Sequence, residues 1–213
     1  MATVIDASDI LATNKSLPVE GFFIDTNIII SYKDPFGASL NNNSLTKYNN
    51  KVTEFLNRPN SSGSKAFSTI SAAIEFYKFI QYGYFKTQFP RIKFDTMKFK
   101  EFKRDSIKFR TGLETYYKLF KKIFQSVFPI SVNNSDMIDY ISDFDVLKSD
   151  FGDHSIIKEV LSHDKKYHGI FTRDADFYNY NEEFYLITFN NKIIAKATSE
   201  KKLFLNKEKS LIK

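Results

Sequence analysis

The sequence predicts an α/β fold in which a central parallel sheet is flanked by helices. Short apolar segments alternate along the chain with longer amphipathic ones, and this order of elements is typical of parallel sheets. The short segments are apolar on both faces, as expected for strands that are covered on both sides. The predicted strands are residues 21–30, which lead into a turn, and residues 66–70, 169–172 and 184–189.

The predicted helices are recognised by apolar residues at three- and four-residue spacing. The strongest pattern includes Leu113, Phe120 and Phe124 and ends before Pro129. A polar loop is predicted at 58–65. The lysine-rich tail at 190–213 has mixed propensity, and a short terminal strand and an ordered cap are both open for it. The predicted helices are residues 45–56, 71–82, 94–109, 113–128, 138–147 and 153–163.

Length and composition limit the class of protein. The 213 residues suit a single domain, here with a basic aromatic helical insertion at about 86–129. The chain has no cysteine, which excludes disulfides, thiolate catalysis and zinc–thiolate sites. The N-terminus lacks a secretory pattern, and no apolar run approaches the roughly 18 residues of a membrane span. We therefore predict a cytoplasmic protein with no membrane partner.

Charge is distributed unevenly. Residues 86–129 contain twelve lysines and arginines and four acids, which gives +8, whereas the rest of the chain carries −2. This asymmetry indicates a polyanionic partner, although a solvated helical surface would have the same composition. The interleaved aromatic residues could stack on single-stranded nucleic acid or form the core of a helical hairpin or dimer interface. We favour core for the aromatics and RNA attraction for Lys98, Lys100, Lys103 and Arg104.

Four acids lie at or just after the ends of predicted strands or at the start of a helix. They are Asp25, Glu75, Asp153 and Asp174. If the strands are parallel, these carboxylates converge on one edge of the sheet. Several carboxylates in one place cannot all remain ionised without compensation. A set of oxygen ligands without cysteine favours Mg²⁺ or Mn²⁺, and such a centre suits cleavage of phosphodiester bonds.

Each acid also has a plain structural interpretation. Asp25 could be a turn residue before a helix, Asp153 a helix N-cap, and Asp174 a turn residue, while Glu75 could be a solvated helical side chain. Together these interpretations require four coincidences at four strand ends. A histidine-based hydrolase is disfavoured because no nucleophile motif accompanies the three histidines. A phosphate-binding glycine loop is also missing.

Four short segments resemble the motifs of PIN-domain nucleases, in the same order. FIDTNIII contains the first acid and Asn27, and STISAAIEF contains the second. SDFGDHSII contains the third acid, and GIFTRDADF contains Thr172, the fourth acid and Asp176. The resemblance covers residues 21–82 and 137–189. The basic insertion separates the second and third motifs by more than compact members of the family usually allow.

The resemblance implies a three-layer fold around a parallel sheet and Mg²⁺- or Mn²⁺-dependent cleavage of single-stranded or loop RNA. The four acids would be catalytic metal ligands, with Asp176 as an accessory ligand. Asn27 and Thr172 would order the site by hydrogen bonding. VapC-type toxins are the commonest small bacterial and archaeal members, so an antitoxin protein is an implied partner. A homodimer is a separate expectation, which comes from the dimer-interface alternative for the aromatic residues of the insertion. The alternative is a PIN-fold module that binds RNA or protein without cutting.

Overall fold

The computed structural model describes residues 2–13, 15–33, 35–37, 42–58, 64–90, 96–104, 106–131 and 151–204. Its centre is a five-stranded sheet in the order β1-β5-β4-β2-β3, in which every pair of neighbouring strands is parallel. The predicted parallel α/β sheet is therefore confirmed. The strands are β1 (Thr3–Asp6), β2 (Gly21–Ile24), β3 (Lys65–Ser68), β4 (Gly169–Phe171) and β5 (Tyr185–Thr188).

Eight α-helices surround the sheet within these residues. Side-chain caps fix the start of three of them: Asn42 accepts from the backbone N–H of Leu45, Thr69 from that of Ala72, and Asn190 from that of Lys192. A π-helix, Ile123–Val127, continues the sixth helix. The helices are α1 (Ala7–Thr13), α2 (Thr26–Lys33), α3 (Asn43–Asn57), α4 (Ile70–Gln88), α5 (Thr96–Arg104), α6 (Ser106–Lys122), α7 (Phe151–Leu161) and α8 (Asn191–Ser199).

The predicted strand at 21–30 is too long. The strand ends at Ile24, and Ile28 to Ile30 belong to α2. The carbonyl of Asp25 accepts the backbone N–H groups of Ile28 and Ile29, at 3.0 and 3.2 Å, which starts the helix. Ile28 and Ile29 are fully buried, and a short buried apolar run has no periodicity that separates strand from helix.

The helix predictions at 45–56, 71–82 and 153–163 agree with α3, α4 and α7, although α4 extends six residues further, to Gln88. The predicted boundary between the helices at 94–109 and 113–128 is wrong, because α5 ends at Arg104 and α6 runs from Ser106 to Lys122. Ile70, predicted as the end of a strand, is the first residue of α4, and Lys65, predicted as loop, begins β3. The predicted helix at 138–147 lies outside the described residues. Within the described part of the chain, no helix is both long enough and apolar enough to cross a bilayer.

Strand β1, at one edge of the sheet, was not predicted. It pairs with β5, and its Val4 and Ile5 are buried. The backbone of Val4 also accepts from Phe204 at 2.7 Å and donates to Lys202 at 2.9 Å. The start of the tail is therefore α8 followed by a bridge to β1 at Leu203, and the predicted strand or cap at the end of the tail lies outside the described residues.

Helices cover both faces of the sheet. Successive side chains of a strand point to opposite faces of the sheet, so each strand packs against both layers of helices. On one face, the Phe55 ring of α3 packs against Phe22 and Phe171, with ring centres 6.1 and 4.8 Å apart. On the other face, Phe23 packs against His163, just beyond α7, at 4.9 Å. Much of the high phenylalanine content is thus used to fill the layers between sheet and helices.

Helices α5 and α6, here called the basic arm, pack against α4 through aromatic rings. Phe102 contacts Phe85 at 5.7 Å between ring centres, and Phe124, in the π-helix beyond α6, contacts Phe76 at 5.8 Å. Phe124 is 6% exposed and belongs to the main core, whereas Tyr117 is 47% exposed. The prediction that the aromatic stripe is mainly core is confirmed, and the packing is between helices of one chain.

Candidate metal centre at the carboxyl edge of the sheet

Asp25 follows β2 directly and is 4% exposed. Its Oδ1 accepts the backbone N–H of Thr26 at 2.5 Å. Its Oδ2 accepts the hydroxyl of Thr172 at 2.7 Å and the side-chain amide of Asn27. A carboxylate that is buried in this way and surrounded by donors has a fixed orientation, so its position is set by the ends of β2 and β4 together.

Asn27 and Thr172 connect these two strand ends. The Asn27 amide nitrogen lies 3.2 Å from the Thr172 hydroxyl, and its oxygen accepts the backbone N–H of Arg173 at 3.1 Å. The Thr172 hydroxyl in turn accepts the backbone N–H of Asp174 at 2.9 Å. Asn27 and Thr172 make the hydrogen bonds expected of residues that order this edge, and their role in a functional site stays a prediction.

Glu75 lies in the second turn of α4 and is half-buried. Its Oε2 accepts the hydroxyl of Thr26 at 2.7 Å. Thr26 therefore bridges Glu75 and Asp25, since its backbone N–H donates to one carboxylate and its hydroxyl to the other. The sequence placed both acids at this edge, and the structure brings them together through this shared neighbour.

A second group of acids lies at the end of β4 and the start of α7. Asp153, Asp174 and Asp176 each have an oxygen within 4.8 Å of the oxygens of the other two. The backbone N–H of Asp176 donates to Asp174 Oδ1 at 3.0 Å, which folds the chain so that both carboxylates lie together. Asp153 is partly buried, and the other two are exposed. Asp25 and Glu75 lie outside this group of three.

The two groups interact electrostatically. The pKa of Asp25 is raised from 3.8 to about 7, mainly by burial and also by the negative charges of Glu75 and Asp174, against hydrogen bonds from Thr172 and Thr26 that lower it. We refer to the five acids together as the acidic edge. Within the described residues, no lysine or arginine forms an ion pair with Asp25, Glu75, Asp174 or Asp176.

The donor set of the acidic edge fits a hard divalent cation. All five ligand candidates are carboxylates, and Mg²⁺ and Mn²⁺ prefer oxygen ligands. A divalent charge would offset the repulsion among these carboxylates, which adds to burial in raising the pKa of Asp25. The short distances within the group of three make Asp153, Asp174 and Asp176 the side chains most directly placed to hold such an ion.

Two residues next to the acidic edge were missed in the sequence. The guanidinium of Arg173 lies 5.2 Å from the centre of the Tyr48 ring. The Tyr48 hydroxyl is buried and has no hydrogen-bond partner among the described residues. Burial raises the pKa of Tyr48, the charge of Arg173 partly lowers it, and the charge of Asp25 makes a smaller raising contribution. Arg173 could have been noticed because it lies inside FTRDADF, whereas the position of Tyr48 depends on how α3 crosses the sheet.

The four basic residues predicted to attract RNA, Lys98, Lys100, Lys103 and Arg104, are exposed on α5. The Lys103 ammonium donates to Gln81 at 3.2 Å. Helix α5 packs against Phe85 of α4, ten residues beyond Glu75, which corresponds to about 15 Å along a helix. These cations therefore lie away from the acidic edge and could act only on a ligand that extends well beyond it.

Comparison with known proteins found no matching family model, no matching curated protein and no matching solved structure. The α/β fold with a five-stranded parallel sheet is established by the structure itself. Membership of the PIN-domain family, an antitoxin partner, a homodimer and a cytoplasmic location stay predictions. The chemistry of the acidic edge is therefore the basis on which a function can be assigned.

Proposed function

We propose that this protein is a metal-dependent endoribonuclease that hydrolyses RNA phosphodiester bonds at the acidic edge. The observation that carries the proposal is the approach of Asp153, Asp174 and Asp176 to within 4.8 Å of one another, beside the buried Asp25. Among the described residues, Asp174 and Asp176 form no ion pair with a lysine or arginine, and clustered carboxylates are suited to a divalent metal.

The side chains have separate roles in this proposal. Asp153, Asp174 and Asp176 would hold Mg²⁺ or Mn²⁺, with Asp25 and Glu75 as further oxygen ligands. When bound, such an ion polarises a phosphoryl oxygen and lowers the pKa of a water molecule that can attack it. Asn27 and Thr172 keep the Asp25 carboxylate oriented, and Thr26 fixes Glu75.

Two features support RNA as the substrate. Asp174 and Asp176 are exposed, so a polymer can approach the acidic edge from solvent. The basic arm carries exposed cations that favour a polyanion. The resemblance of the four motifs to PIN-domain nucleases favours RNA over other phosphodiesters, and its toxin members suggest a role in a toxin–antitoxin pair.

The direct test is cleavage of an end-labelled single-stranded RNA. The purified protein is expected to cut it with Mg²⁺ or Mn²⁺, to stop in excess chelator and to resume when metal is restored. Cleavage that continues unchanged in excess chelator would exclude the mechanism. RNA binding without cleavage in either metal would instead favour the alternative, a PIN-like module that binds without catalysis.

A further inference from the structure

A pocket of about 600 Å³ opens beside the acidic edge. Its wall includes the first residues of α3 and α8, the side chains of Tyr48 and Phe189, and Arg173. The size lies within the range of about 300–1,000 Å³ that is typical of small-molecule sites. No residue proposed as a metal ligand lines it, so it is a neighbour of the metal centre and a separate space.

The backbone of Arg173 is held on both sides. Its N–H donates to the Asn27 amide oxygen at 3.1 Å, and its carbonyl accepts the side-chain amide of Asn190 at 2.9 Å. Arg173 also stands between Thr172, which binds Asp25, and Asp174 of the acid cluster. The same hydrogen bonds that fix the acids therefore fix the point from which this guanidinium extends into the pocket.

The charge of Arg173 is not used within the fold. Among the described residues, its guanidinium has no carboxylate partner and no hydrogen bond, and it lies over the Tyr48 ring at 5.2 Å. An arginine fork is suited to bind phosphate oxygens in pairs. An exposed arginine without a partner, one residue from a proposed metal ligand, is well placed to bind a charged part of the substrate.

The rest of the pocket wall has the same electrostatic sign. Lys192 contributes a second cation, and no acid is found among the described residues that line the pocket. Helices α3 and α8 both begin there, at their caps Asn42 and Asn190, and a helix N-terminus favours negative charge. Phe189 adds an aromatic surface. Cations beside an aromatic wall match the phosphate and the base of a nucleotide.

We propose that this pocket binds one nucleotide of a single-stranded RNA, next to the nucleotide whose bond is cut. The phosphate would contact Arg173 and Lys192, and the base would lie against the wall formed by Tyr48 and Phe189. This inference rests on the proposed ribonuclease function, because it is the acidic edge that makes a neighbouring phosphate subsite useful. It makes Arg173 a substrate-binding residue.

The test measures RNA affinity without cleavage. A fluorescent six-nucleotide single-stranded RNA is titrated with the protein in excess chelator, and binding is followed by anisotropy at several salt concentrations. Arg173→Gln is expected to bind about tenfold more weakly, with a log–log salt slope smaller by about 0.7, the value for one phosphate contact on a single strand. Arg173→Lys should recover part of the affinity, because it keeps the charge and loses the fork.

Lys166→Gln is the matched control. It removes the same charge at the amino ends of the strands, opposite the acidic edge. There Lys166 pairs with Glu20 at 3.0 Å in an exposed ion pair, and such pairs contribute little to stability. Its affinity should stay within twofold of the unchanged protein. Lys192→Gln, exposed on the pocket wall, should weaken binding a few-fold. If Arg173→Gln melts at a lower temperature than the unchanged protein, Lys192→Gln still tests the contribution of the pocket to RNA binding.

Equal affinity and salt slope for Arg173→Gln, Lys192→Gln and the unchanged protein would overturn the assignment, as would the absence of measurable RNA binding by the unchanged protein. Because the assay contains chelator, its outcome does not depend on catalysis. A protein that binds RNA through Arg173 and does not cut it with either metal would contradict the proposed nuclease function and support the pocket.

Discussion

The acidic edge and the basic arm are the two strongly charged regions of this molecule, and they are constructed in opposite ways. At the acidic edge, Asp25 is buried and held by three donors. In the basic arm, the side chains of Lys98 and Lys100 are exposed on α5. The acidic edge buries and fixes its central carboxylate, whereas the basic arm presents exposed cations on the surface of a helix.

This difference corresponds to what each task requires. A divalent cation needs its oxygen ligands within a few ångströms and in a defined geometry, so the carboxylates must be positioned by hydrogen bonds. Attraction of a polyanion acts over roughly 10 Å at ordinary ionic strength and tolerates mobile side chains. We therefore expect the acidic edge to control the chemical step and the basic arm to control RNA affinity.

The largest expected effect is on catalysis. Asp174→Asn removes a ligand charge from the group of three, and it should lower the cleavage rate at saturating RNA by at least about 100-fold, because metal stabilisation of a transition state is worth several kcal/mol. Asp164→Asn, at an exposed acid outside the acidic edge, should cleave normally. A fully active Asp174→Asn protein would exclude this residue from the site.

A second expectation concerns the foundation of the basic arm. Phe124→Ala should lower the free energy of unfolding by about 3–5 kcal/mol, since the ring is 6% exposed and its loss leaves a cavity. Tyr117→Ala, at a ring that is 47% exposed, should cost less than about 1 kcal/mol. Urea denaturation measures both. If the two costs were equally small, the π-helix that continues α6 would not be part of the main core.

The third expectation is a pH dependence of stability without metal. The pKa of Asp25 is about 7 in the fold and 3.8 when unfolded. Between these values the folded chain holds a proton that the unfolded chain lacks. The free energy of unfolding should therefore fall as pH rises from about 4 to about 7, and then level off. The loss is on the order of 2–4 kcal/mol, and urea denaturation in chelator measures it.

Asp25→Asn is the control for this pH dependence of the free energy of unfolding. It lacks the titrating carboxyl group of Asp25 and should therefore lose that part of the dependence. The amide cannot accept all three hydrogen bonds, so this variant should also show a loss of stability that does not change with pH. Burial also raises the pKa of Glu159, but Glu159 is present in both proteins and cancels. Identical slopes in the two proteins would show that Asp25 is ionised throughout this pH range.

The sequence predicted which acids lie at the acidic edge, but it did not predict the distances between them. Asp25 and Asp174 could be placed because apolar strands end just before them, and parallel strands bring their carboxyl ends to one edge. That Asp176 joins Asp153 and Asp174, with Asp25 outside the group of three, depends on the turn after β4. The spacing of residues along the sequence does not determine the positions of carboxylates in a turn to within a few ångströms.

Long-range packing explains the remaining misses. Strand β1 has four residues and pairs with β5 and Leu203, both distant in sequence, so no local pattern indicates it. The contact between Arg173 and Tyr48 requires α3 to cross above the end of β4. The three isoleucines of α2 are compatible with either strand or helix, because buried segments lack the polar face that reveals periodicity.

The most direct test of the division between the two regions is to measure affinity and single-turnover rate for two variants on one RNA. Replacement of Lys98, Lys100, Lys103 and Arg104 by glutamine should weaken binding by about tenfold or more and flatten its salt dependence. Its rate at saturating RNA should remain unchanged. Asp174→Asn should lose the rate and keep the affinity. The account would be contradicted if the glutamine variant lost the rate at saturation, or if it bound RNA with the original affinity and salt dependence.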